Sequence, residues 1–353
     1  MPIKESALVG TLLGTAVGDA IGLPYEGLSA CRGRRIFGEP GRCRFLPSRG
    51  MVSDDTEHAC ITTQALIASG DDVDAFAKHL AWGLRIWLLG IPGGIGLATL
   101  KATLKLWLGV PPCRSGVWSA GNGPAMRSAI LGASINDLSL LRRFVQVSTR
   151  ITHTDPKAER GAQAVAFAAR LASSGSSIEP RQFADSLLNY LADSCEEEAM
   201  RLVDAAVTSV ESGQSTEDFA RSLGLERGVS GYIYHTLPIV IQAWLRHQND
   251  YRSAITAVIR CGGDTDTTAA LVGGIIGCRV GKNGIPNDWL EQLWEWPRSV
   301  SWMEKLASQL HEFRTTGLTT KPLRLPTYGV LPRNLLFNTI VLLHGFRRLG
   351  PPY

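Results

Sequence analysis

Several features are missing from this 353-residue chain, and each absence removes a class of protein. Its seven cysteines, Cys31, Cys43, Cys60, Cys113, Cys195, Cys261 and Cys278, are odd in number, scattered, and include no Cys-x-x-Cys pair. They argue against a disulfide framework and read as reduced thiols in a cytoplasmic protein. Lysine and arginine form no stripe and the net charge is only +4, so no specific nucleic-acid binding is expected. No stretch holds the ~20 uninterrupted apolar residues of a membrane helix. The opening run MPIKESALVGTLLGTAVGDAIG is broken by glycine, carries Asp19 and has no basic leader, so neither a transmembrane segment nor a signal peptide is expected. Strand-like alternation is scarce, and no repeat of 20 to 50 residues is present.

Helical periodicity fills the space these absences leave. Residues 72–90 place Phe76, Leu80, Leu84 and Leu88 at four-residue steps behind an acidic start. Similar patterns run over 137–149, 157–172, 181–193, 196–211, 232–246 and 298–313, separated by short Gly, Pro and Ser breaks. The expectation is an all-α domain over residues 1–316, then a Pro-rich linker and apolar tail over 317–353. The apolar stretch Leu335–Phe346 has only Arg347 and Arg348 behind it, too few basic groups for an interfacial helix, so it is expected to dock on the body. Two predicted helices, at 10–22 and 267–281, repeat glycine. Each helical glycine costs about 1 kcal/mol against alanine, which implies close backbone approach at the centre of a bundle.

Two acidic clusters stand at the mouths of apolar helical stretches: Ser53-Asp54-Asp55-Thr56 and Gly262-Gly263-Asp264-Thr265-Asp266-Thr267. Taken alone, the first is an ordinary helix start with Ser53 or Asp54 as cap. If the clusters meet, their like charges demand a cation, since two charges about 4 Å apart repel by roughly 4 kcal/mol at an effective dielectric near 20. Oxygen donors without His or Cys favour magnesium or manganese over zinc. The second cluster lacks the Gly and Glu of an EF-hand loop. It does fit the D-x-D-x-T pattern of haloacid-dehalogenase-like phosphotransferases, but no alternating α/β pattern surrounds it.

An ordered set of segments resembles the ADP-ribosylglycohydrolase family. It comprises GTLLGTAVGDAIGLPYEG at 10–27, SDDT at 53–56, GGIGLAT at 93–99, GNGPAMR at 121–127, THTDPKAERGA at 152–162, SGYIYHTLPIVIQAW at 230–244 and GGDTDTTAALVGGIIG at 262–277. The resemblance implies a single-domain orthogonal multi-helix bundle with a dinuclear magnesium or manganese site at its centre. It also implies hydrolysis of the glycosidic bond between ADP-ribose and an ADP-ribosylated protein or small molecule. By it, Ser53, Asp54, Asp55, Asp264, Asp266 and Thr267 are metal ligands, and Glu26, Asp54, Asp55 and Asp266 carry the chemistry. Gly94, Gly96, Ser119, Gly121, Asn122 and Gly123, the last three just before a helix predicted over 124–132, would cradle the substrate. His153 is expected to touch ligand rather than transfer protons, and Tyr232 either stacks on ligand or sits in the core. Two rival readings are a non-catalytic, crystallin-like relative and a phosphohydrolase using Asp264. His235 and Pro238, inside a predicted helix, depart from the family pattern, and Pro238 is expected to kink that helix.

Overall fold

A computed structural model describes residues 2–191, 197–317 and 321–351; Cys195, expected as a reduced thiol, lies outside them, as do parts of the helices expected at 181–193 and 196–211. Helix α1 (Glu5–Gly22) runs into a 3-10 turn at Leu23–Tyr25, a two-residue strand β1 (Leu28–Ser29) and α2 (Ala30–Phe37). Next come α3 (Asp54–Ser69), α4 (Val73–Leu89), α5 (Leu97–Trp107), α6 (Pro112–Ser115), α7 (Ala129–Ser134), α8 (Leu138–Arg150) and α9 (Pro156–Ala172). The chain continues through α10 (Pro180–Leu191), α11 (Glu197–Glu211), α12 (Thr216–Ser222), α13 (Ile233–Arg246), α14 (Tyr251–Ile259) and the short strand β2 (Gly262–Gly263). It closes with α15 (Thr265–Val280), α16 (Asn287–Gln292), α17 (Val300–Thr316) and α18 (Val330–Leu349).

The helices begin where the sequence supplies caps. Asp72 accepts hydrogen bonds from the amides of Asp74 and Ala75 at the start of α4, Asp137 from that of Leu140 at α8, and Asp155 from that of Lys157 at α9. Each satisfies amides that the first helical turn leaves unpaired. Pro238 lies inside α13, a single helical segment from Ile233 to Arg246. One local expectation differs from the structure. Residues 124–132, expected as one helix, divide into a 3-10 turn (Ala125–Arg127) and α7. The tighter turn directs the fully buried Arg127 inward to Ser148 and Thr152, a tertiary demand invisible in local propensity.

The centre of the molecule is a backbone-to-backbone contact between α1 and α15. On α1, Gly10, Gly14, Gly18 and Gly22 recur every four residues and so share one face. A Cβ at these positions would come within 2.0–2.3 Å of the carbonyl oxygens of Gly277, Gly273, Ala269 and Thr265 on α15. The relation is reciprocal, because a Cβ at Gly273 or Gly277 would strike the Gly14 or Gly10 carbonyl. A hydrogen bond from Thr265 Oγ1 to Gly22 O (2.9 Å) ties the pair further, and Tyr251 Oη on α14 donates to Gly14 O at 2.5 Å. By length and hydropathy Glu5–Tyr25 could cross a membrane, which the sequence reading did not anticipate, yet 89% of that window is buried inside the protein.

The C-terminal segment packs on the body. Leu323 and Leu325 lie against the main core, and α18 buries Phe337 and Ile340 against Leu23, Phe45 and Met51. Gly14→Ala is expected to lower stability by about 3 kcal/mol, as overpacking of a contact that cannot open. Chemical denaturation checks this, and a loss under 1 kcal/mol would show that the two helices can part.

Candidate active site

Three helix starts and two turns converge on one cavity of about 540 Å³. Helix α3 opens with Ser53 as its cap, whose Oγ accepts from the Asp55 amide at 3.3 Å. The capping role expected of this motif is therefore real, and it is not the only role. Asp54 reaches the cavity, while Asp55 turns beneath it, where its Oδ2 accepts from Ser53 Oγ at 3.1 Å and Thr267 Oγ1 at 3.2 Å. Those two hydroxyls come from different helices, so Asp55 joins the clusters across more than two hundred residues of sequence.

The second cluster is placed by its glycines. Gly262 and Gly263 have φ of +73° and +82°, and a side chain at either would collide with backbone of residues 28–30 or 228–229. Freed of that constraint, β2 pairs antiparallel with β1, Leu28 opposite Gly263, and the Gly27 amide donates to Gly263 O at 2.7 Å. This pairing sets Glu26 beside Asp264 and Asp266 at the cavity. Asn122 Nδ2 donates to Asp264 Oδ2 at 2.7 Å and to Thr236 Oγ1 at 3.0 Å. The Asn122 side chain therefore orients a carboxylate, a role the sequence did not suggest.

Glu26, Asp54, Gly94, Gly96, Ser119, Gly121, Asn122, Gly123, His153, Asp264, Asp266 and Thr267 all line the cavity. Ser53 and Asp55 are buried in its floor. Tyr232 is not among the lining residues; its hydroxyl accepts from Lys157 Nζ at 3.0 Å, and its ring meets His235 edge-on. Its contribution is backbone pairing with Gly121. Gly94 has φ +80°, and a Cβ there would lie 3.2 Å from Asp54 Oδ1, so the glycine lets that loop close over the acid. His153 is held neutral, its pKa pushed down to about 3 by burial and then by the Arg127 charge, with Nδ1 fixed on Thr152 Oγ1 at 2.9 Å.

Asp19, which the sequence reading passed over, is the support beneath the acids. Fully buried on α1, it accepts from the Ser53 amide at 2.9 and 3.0 Å, from the Thr56 amide at 3.2 Å and from Thr56 Oγ1 at 2.5 Å. It thereby takes up free amides at the α3 N-terminus from a second helix. The available signal was a lone carboxylate in an otherwise apolar, glycine-rich helix.

Burial pushes the Asp19 carboxyl up to about 7, against the pull of those hydrogen bonds. Asp54, Asp55 and Asp266 are raised well above the ordinary range, first by burial and then by one another's charges together with those of Asp19, Glu26, Glu57 and Asp264. Among the described residues, no three His, Cys, Asp or Glu side chains form a ready-made metal cage. The donor chemistry nonetheless fits a cation, because Asp55 Oδ1 and Asp266 Oδ1 are buried without any partner. Hydroxyls of Ser53 and Thr267 stand beside them. Unpaired anionic oxygens are costly to bury, and a hard divalent ion is the counter-charge this oxygen-only set suits.

A family model for ADP-ribosylglycohydrolase matches residues 1–318. The chain belongs to that family. It is 28% identical to ADP-ribosylhydrolase ARH3 of Gallus gallus, over 86% of this chain and 92% of the relative. It is 26% identical to ADP-ribosyl-[dinitrogen reductase] glycohydrolase of Rhodospirillum rubrum, over 83% and 92%. Among solved structures, one described as an ADP-ribosylglycohydrolase-related protein complex superposes with a TM-score of 0.63 at 26% identity, over 88% of this chain and 99% of that one. The protein is an enzyme with the all-helical fold of its family, and the family and its named relatives support ADP-ribosyl hydrolysis as its class of reaction.

In chelator-treated protein, the raised carboxyls set a pH dependence. Between the unfolded value near 4 and about 7, the native state binds more protons than the unfolded chain, so stability falls as pH rises. The slope is roughly 1.4 kcal/mol per pH unit for each carboxyl that titrates. Urea midpoints measured from pH 4.5 to 7.5 should decline, and saturating manganese should flatten the decline; a metal-free midpoint that climbs with pH would contradict the buried cluster.

Proposed function

We propose that the enzyme hydrolyses the glycosidic bond between ADP-ribose and a modified side chain or small acceptor, using two magnesium or manganese ions, in the cytoplasm. The observation that carries this reading is the convergence of Asp54, Asp264, Asp266, Thr267 and Glu26 on one cavity, above the buried Asp55. Ser53, Asp54, Asp55, Asp264, Asp266 and Thr267 would hold the ions, which when bound supply positive charge to orient the ribose hydroxyls and stabilise the reacting centre.

The rest of the chemistry falls to the chain. Glu26 lines the cavity, and burial followed by the Asp264 charge raises its carboxyl above the usual range. A carboxyl at that position can take a proton from water or return one to the leaving group. Gly96 caps α5, and Gly96, Leu97, Ala98 and Thr99 face the cavity. The amides of that helix start are a ready receptor for a diphosphate. Neutral His153 adds a polar wall without adding charge. The cytoplasmic assignment follows from the odd, scattered cysteines of the sequence. Retention of every expected carboxylate favours catalysis over a crystallin-like role.

Asp266→Ala is expected to abolish ADP-ribose release while leaving the helical circular dichroism unchanged; turnover near the parent rate would remove Asp266 from the site. Glu26→Gln should slow hydrolysis by roughly a hundredfold or more with ADP-ribose affinity, measured by calorimetry, largely kept. Equal loss of rate and affinity would make Glu26 a binding group. Assays on arginine-, serine- and nucleic-acid-linked ADP-ribose, with manganese, magnesium or zinc, identify the acceptor; rescue of a chelated enzyme by zinc alone would contradict the hard-ion assignment.

A further inference from the structure

Helix α18 lies beyond the stretch that matches the family, yet it touches three walls of the active site. At its start, the buried Arg333 donates to Glu295 from Nε at 2.9 Å and from Nη2 at 2.5 Å, and to Val52 O at 2.5 Å. Glu295 in turn accepts from the Val52 amide at 3.1 Å, so the residue before Ser53 is gripped on both backbone groups. The adjacent Asn334 donates from Nδ2 to Gly90 O at 2.8 Å, and one turn on Asn338 Nδ2 donates to Ile91 O at 3.1 Å. A Cβ at Gly93 would fall 2.6 Å from the Phe337 ring, which shows how closely α18 backs the loop leading to Gly94 and Gly96. At its end, Arg348 donates from Nη1 to Glu26 O at 2.9 Å and from Nη2 to Pro24 O at 3.0 Å.

These contacts share one face. With 3.6 residues per turn, Arg333, Asn334, Phe337, Ile340, His344 and Arg348 fall within about a third of the helix circumference. His344 fixes the position along the body, stacked on Phe37 and Phe45 with Nε2 on Phe45 O at 2.8 Å. Glu26 sits between a 3-10 turn and Gly27, which has φ +70°. A guanidinium fork bridging the carbonyls of residues 24 and 26 removes the freedom of that turn to rotate.

We propose that α18 is a strap that positions the active site, and that Arg348 is the positioning residue holding the Glu26 turn at the cavity. The proposal rests on the reading of Glu26 as the proton-handling group, and two readouts separate the two claims. Arg348→Ala in the full-length protein is expected to raise backbone deuterium uptake over residues 23–29 and to lower kcat by roughly ten- to a hundredfold, the scale set by a catalytic group displaced by about 1 Å. KM and the melting temperature should change little. Arg348→Lys should recover part of the rate, since an ammonium can serve only as a point donor. Leu342→Ser, on the exposed outer face of α18, should behave as the parent in both readouts. Parent-like exchange over 23–29 together with parent-like kcat in Arg348→Ala would overturn the strap. Exposed exchange without any ADP-ribosyl hydrolysis by the parent protein would sustain the strap and overturn the assigned reaction.

Discussion

Two helices whose backbones touch set the position of everything else. The glycine face of α1 lets α15 approach until carbonyl oxygens occupy the space of missing side chains, and this fixes where each helix ends. The C-terminal end of α1 delivers Asp19 beneath the α3 cap and leads directly into the turn that carries Glu26. The N-terminal end of α15 delivers Asp266 and Thr267. Widening the contact by the radius of one methyl group would move both ends, so the small residues serve the geometry of the acids more than the stability of either helix. Intrinsic propensity argues against glycine inside a helix, and the structure shows what outweighs it.

The price of this geometry is electrostatic. Burial raises the proton affinity of Asp19, Asp54, Asp55 and Asp266, and the Asp19 charge raises that of the other three further. Asp19 is compensated by amides and a hydroxyl, whereas Asp55 and Asp266 each retain an oxygen with no partner. An arrangement tuned for stability alone would not keep such atoms, since unsatisfied buried groups are destabilising by about 1–3 kcal/mol each. Those two oxygens are the feature on which the proposed cation site rests. Behind it lies a compensated layer: Glu57, one turn into α3, is held by Arg298 Nη1 and Trp87 Nε1 at 2.5 Å each, and Arg127 spans Ser148, Thr152 and His58.

Much of this was legible in the chain. Periodicity gave α4, α8 and α9, whose starts fell within a residue of the expectation because Asp72, Asp137 and Asp155 cap them, whereas α2, α5, α12, α14 and α16 were not anticipated. The repeated glycines announced close packing, and the acidic clusters announced a shared centre. What stayed hidden depends on the direction a side chain takes in three dimensions. Tyr232 is spaced like its cavity neighbours but turns to Lys157. Asn122 sits in a glycine-rich turn that reads as a phosphate cradle, yet its amide is committed to Asp264. Asp19 looks like a break in an apolar helix, and only burial reveals its work. The strap is the clearest case, since no local pattern connects Arg333 to Val52 or Arg348 to Glu26 across some three hundred residues.

The central claim is that this buried carboxylate group holds a pair of divalent ions. Electron paramagnetic resonance during manganese titration of the metal-free protein tests it most directly. The account predicts two ions bound per chain with the spectrum of a spin-coupled pair, lost in the Asp55→Asn, Asp266→Asn double variant. Absence of binding, or a parent-like spectrum in that variant, would contradict it.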